Sequence, residues 1–90
     1  MNVDYESLEQ DLITGVFRER LEGELVIGFR EMHRSGERLP PASYYASQIA
    51  EIVNHAADEP LDADLSFNLY QEILMACERA RAAVLGEKPN

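Results

Sequence analysis

Glu51 and His55 are the two side chains whose types and spacing come nearest to chemistry in this 90-residue sequence. Four residues apart on a helix, a carboxylate and an imidazole share a face and could jointly hold a metal ion, with Asp58 or Glu59 near the helix end as further oxygen donors. The pattern is weak, because di-metal helical bundles more typically set glutamate and histidine three apart and add glutamates from facing helices. An ordinary polar pair on a solvated face is the plainer reading. No metal and no cofactor is therefore assigned, and a small metal-binding helical bundle ranks last among the functions considered. The other histidine, His33, belongs to a different element. There is no glycine-rich phosphate loop, no His-Glu-x-x-His pattern, no calcium loop and no nucleophile elbow. No residue is given a catalytic role, and the chain reads as a non-enzymatic protein.

The same stretch offers a surface. Tyr44, Gln48, Glu51 and His55 recur at helical spacing on the side opposite an apolar arc, so when the arc faces the core this row faces out. A tyrosine flanked by polar groups is a frequent anchor of protein interfaces. Charge is the second feature: the formal net charge is -9 and the sequence pI is near 4.5. Between Leu39 and Glu78 there is no lysine or arginine, while Glu51, Asp58, Glu59, Asp62, Asp64 and Glu72 fall in that window. Asp4, Glu6, Glu9 and Asp11 add to it near the N-terminus. Such a balance disfavours direct contact with nucleic acid or anionic membrane and favours a basic protein, whose encounter it would accelerate. Tyr44, Gln48, Glu51 and His55 are expected to make the specific contacts, with Asp58, Glu59, Asp62 and Asp64 steering the partner. In a stronger version the carboxylates imitate phosphate spacing and the protein inhibits a DNA- or RNA-binding protein. The plainest version is an acidic protein that avoids aggregation.

These residues need helices to place them. The longest helical signal runs from Asp64 to Gly86. Leu69, Ile73, Ala76, Cys77, Ala80 and Val84 form one stripe and Phe67, Leu74 and Leu85 a second, as expected of a helix touching two neighbours. Asp64 or Ser66 is expected to cap its start, and Gly86 to end it in the left-handed conformation. A second helix starts at Pro41 or Ala42 and runs to about Ala57, with Ala42, Tyr45, Ala46, Ile49, Ile52, Val53, Ala56 and Ala57 on one arc. Residues 1–36 read as one long helix or two shorter ones. Leu8, Leu12, Ile13 and Val16 share a face, whereas Leu21, Leu25, Phe29 and Met32 lie nearly opposite, so the helix either breaks around Gly23 or is buried on different sides along its length. The run Leu25, Val26, Ile27, Gly28, Phe29 is apolar almost all round, which marks it as central or self-associating.

Ninety residues make a single domain near the lower size limit for independent folding. Lone Cys77 falls in the main apolar stripe, where it reads as a small core residue, and it permits no intrachain disulfide. The polar, acidic start lacks a signal sequence and no apolar run reaches the ~18 residues of a membrane span, so the expected location is the cytoplasm. The sequence thus predicts an all-α bundle of three main helices, forming a homodimer or larger homo-oligomer through Leu25, Val26, Ile27 and Phe29. Its expected role is adaptor or inhibitor; a purely structural assembly protein built on that apolar surface is the other reading.

Overall fold

A computed structural model of the chain describes residues 5–87; Asp4 and the expected fraying of Lys88–Asn90 lie outside the described residues. Within these limits the chain is all-α: α1 Tyr5–Thr14, α2 Val16–Arg34, α3 Ala42–Ala56 and α4 Ala63–Leu85. The expected three main helices are four, because the first is divided, and it is divided at Gly15 rather than near Gly23. Gly15 has φ of 82°, in the left-handed region that glycine enters without steric cost. Thr14 closes the last turn of α1, its hydroxyl donating to the Gln10 carbonyl at 3.0 Å. The corner explains the switch of apolar face: Leu8 and Leu12 of α1 enter the same core as Leu21 and Leu25 of α2. Gly23, by contrast, lies inside α2 with open space where a Cβ would stand. Gly15→Ala is therefore expected to destabilise the fold by about 1–2 kcal/mol, and Gly23→Ala to stabilise it by roughly 0.5–1 kcal/mol. Urea unfolding of the two variants checks both signs.

α4 is the spine. Leu69, Ile73, Ala76, Cys77, Ala80 and Val84 have no solvent exposure, and both α2 and α3 pack on them. One stripe serves both neighbours. Of the expected second stripe, Phe67, 63% exposed, and Leu85 turn outward, while Leu74 is partly buried against the core. Asp62, rather than Asp64 or Ser66, caps α4, its Oδ1 accepting from the Leu65 N–H at 2.7 Å. Gly86 ends the helix with φ of -80°, in the right-handed rather than the left-handed region.

Ion pairs fix the directions. Arg18–Glu72 at 3.3 Å, Glu22–Arg79 at 3.2 Å and Arg30–Glu87 at 2.7 Å ascend both helices together, so α2 runs parallel to α4. Arg81, near the end of α4, donates to the Pro40 and Leu39 carbonyls just before α3, which makes α3 antiparallel to α4. Leu39 of that connector is buried with Phe29, Ala80 and Val84. The arc of α3 is seated through Ala46, but Ile52, expected within it, is 66% exposed. No Cα of α3 comes within 8 Å of α1 or α2 among the described residues.

The Arg30 guanidinium, bonded through Nε and an Nη to Glu87, holds that carboxylate below the usual glutamate range. A depressed folded value means that the pair's contribution is present above the ordinary value of 4.5 and is lost as pH falls through the lower folded one. Arg30→Gln is expected to remove this acid-side dependence, read as a smaller drop in urea midpoint between neutral pH and pH about 3.

Candidate functional site

The row on α3 sits where helical spacing puts it. Tyr44, Gln48, Glu51 and His55 are all exposed. Tyr44 is not adrift: its ring meets Tyr45 edge-on, with centroids 5.9 Å apart. Tyr45 is itself held at 4.9 Å from Phe29 in the core. An exposed aromatic braced from behind loses little side-chain entropy on contact, which suits an interface anchor. Glu51 and His55 approach to 3.8 Å as an exposed pair. Among the described residues no group of three or more His, Cys, Asp or Glu side chains stands together to hold a metal ion.

At the far end of α3 the chain turns through exposed Asp58 and Glu59 to Asp62 and Asp64 at the start of α4. Here the structure adds something spacing could not give. Glu9 of α1 comes alongside Asp62 and Asp64, and the three line one cleft of about 190 Å³ with Leu12, Ile13, Leu65 and Asn68. Carboxylates more than fifty positions apart thus meet at one end of a molecule that measures 44 × 22 × 22 Å. Sequence adds Glu9 to the acidic set with the other N-terminal acids but does not place it at this cleft, and Ile13, expected on the apolar face of the first helix, is largely exposed. Arg18, Arg30, Arg79 and Arg81, four of seven arginines, bond along α2 and α4 or to the connector before α3. Nothing basic in sequence reaches into the acidic window.

The four residues expected to mediate self-association are separated by the fold. Phe29 is 2% exposed, inside the core, and is not part of any surface. Leu25 and Val26 are partly buried against the same cluster, and Ile27 alone faces out, at 65% exposure. The run meets α4 and, through Phe29 and Tyr45, the start of α3 on one side of α2, leaving Ile27 and Gly28 outside. Cys77 is fully buried and burial pushes its thiol pKa up, as befits an inert core residue.

No helix of the described residues is long and apolar enough to cross a membrane. No family model, no curated protein and no solved structure matches the chain.

Proposed function

We propose that the protein is a non-enzymatic interaction module, an adaptor or inhibitor, that docks a basic protein on its acidic end. The observation that carries this reading is the convergence of Glu9 with Asp62 and Asp64 around one cleft. Asp58 and Glu59 are exposed in the adjoining connector. Clustered like charge is unfavourable to the isolated fold and attracts an approaching basic partner. The α3 row continues from this end, so a partner steered by the carboxylates meets His55, Glu51, Gln48 and Tyr44 in turn. Charge sets the encounter and the braced tyrosine supplies specificity.

A tagged pull-down from the native host after nuclease treatment, eluted stepwise with salt and read by mass spectrometry, tests the reading. A stoichiometric basic protein released between low and high salt is expected. Competition by DNA or RNA for that protein would select the nucleic-acid-mimicking version. Recovery of the bait alone would set the docking reading aside in favour of a homo-oligomeric structural role.

A further inference from the structure

Packed helices lie about 8–10 Å apart, and with Cα atoms on cylinders of about 2.3 Å radius some Cα pairs across such a contact fall well inside 8 Å. α2 packs on α4 in this way and so does α3, yet no Cα of α3 comes within 8 Å of α2. The two helices splay from the spine. They are bridged at one end, where Tyr45 meets the Phe29 ring and its hydroxyl reaches the Met32 sulfur at 3.4 Å. From that bridge an apolar strip runs toward the other end. On α2, Leu21 and Leu25 continue the Met32 side; on α3, Ile49 and Ile52 continue the Tyr45 side. All are partly exposed and Ile52 is 66% exposed. α1 does not cover the α3 side of the strip, having no Cα within 8 Å of α3.

We infer that this strip seats an amphipathic helix of the basic partner, as the fourth member of a bundle whose other three are α2, α3 and α4; the inference rests on the acidic docking reading above. Shape and charge select the occupant. Leu21 to Met32 spans about 16 Å, three helical turns, and two splayed helices over a third leave the position that a fourth fills in a four-helix bundle. The described residues offer no strand edge on which an extended peptide could add itself. Glu24 and Glu31 are exposed along the α2 lip with Arg20 and Arg34 exposed beside them, and the α3 lip carries Gln48 and the Glu51–His55 pair. A second copy would bring the same net charge of -9, so its approach is opposed. A helix with an apolar stripe and basic flanks is not.

The probe is a labelled synthetic peptide of about 18 residues, long enough for five turns, with leucines at helical spacing and lysines on both flanks. Its controls are the same leucine pattern flanked by glutamates and a scrambled lysine–leucine peptide. Binding by the lysine-flanked helix is expected, weakened roughly tenfold or more by Ile52→Arg and also by Glu24→Gln with Glu31→Gln. Ile52 is largely exposed, so its replacement leaves the core intact, which a thermal melt verifies. Equal affinity for either control, or indifference to Ile52→Arg, overturns the inference. So does a concentration-dependent dimer that Ile52→Arg dissolves, since a second copy is then the occupant. Equal binding of the helical and scrambled lysine peptides, lost together in Asp58→Asn/Glu59→Gln/Asp64→Asn, overturns the inference while leaving the acidic docking reading in place. No binding of any lysine peptide overturns both.

Discussion

Phe29→Ala is expected to cost the fold about 3–5 kcal/mol, the largest loss available from one side chain here. The ring is 2% exposed and packs with Leu39, Ala80 and Val84, so it joins α2, the connector and α4, and its contact with Tyr45 adds α3. A cavity bordered by four segments, three of them regular helices, cannot collapse by moving one of them, which puts the cost in the upper part of the large-to-small range. Native domains are stable by only about 5–15 kcal/mol, and at 90 residues this one has little to spare. The urea midpoint should fall steeply with an unchanged slope, because the surface exposed on unfolding is nearly the same. The midpoint should also be independent of protein concentration. Were the Leu25 to Phe29 run a contact between copies, it would instead shift with concentration by mass action. Ile27→Asp is the companion variant: exposed in the same run, it should change stability by no more than about 0.5 kcal/mol, and light scattering then shows whether copies meet there.

The contrast between Phe29 and Ile27 shows what the sequence can carry. The α4 stripe was legible because a long regular helix has a fixed period, and burial along one side of it depends on nothing beyond that period: all six stripe residues are fully buried. The apolar run of α2 was visible as central or self-associating, but choosing between these needs the neighbours, which periodicity does not supply. Ile13, Ile52 and Phe67 follow the same logic. Each falls on or beside an apolar arc, yet a small domain has too little interior for every such residue, and which one stays outside is settled by where the adjoining helix ends. Gly15 and Gly23 look alike as letters, and the break falls where α1 must turn to bring Leu8 and Leu12 inward. Asp64 and Ser66 are the expected caps; the connector's path instead makes the Asp62 carboxylate the one that reaches the Leu65 amide. For the candidate site, the α3 row was legible because it lies on one helix. The cleft was not, since Glu9 and Asp64 are brought together only by the packing of α1 beside α4.

Replacing Asp58, Glu59 and Asp64 by Asn, Gln and Asn is expected to slow association with a captured basic partner by about tenfold or more at low salt, with a much smaller change in dissociation. The three substitutions take the formal net charge from -9 to -6 and keep side-chain size and hydrogen-bonding capacity, so shape is held while charge is removed. Asp62 is left alone because its carboxylate is the α4 cap, and changing it would mix folding with binding. Asp64 stands in the first turn of α4, where a negative charge suits the helix dipole; losing it should cost about 0.3–1 kcal/mol, offset in part by relief of repulsion from Glu9 and Asp62 around the cleft. The fold therefore survives, and a circular dichroism melt confirms that the binding change is not an unfolding one. Steering acts over roughly the Debye length, about 8 Å at physiological ionic strength. The wild-type association rate should thus fall steeply with added salt while the triple variant's falls less, the two converging at high salt. Parallel salt dependence for both proteins would mean that the carboxylates at this end do not face the partner, and the interface would then have to be sought along Tyr44 and the exposed side of α3.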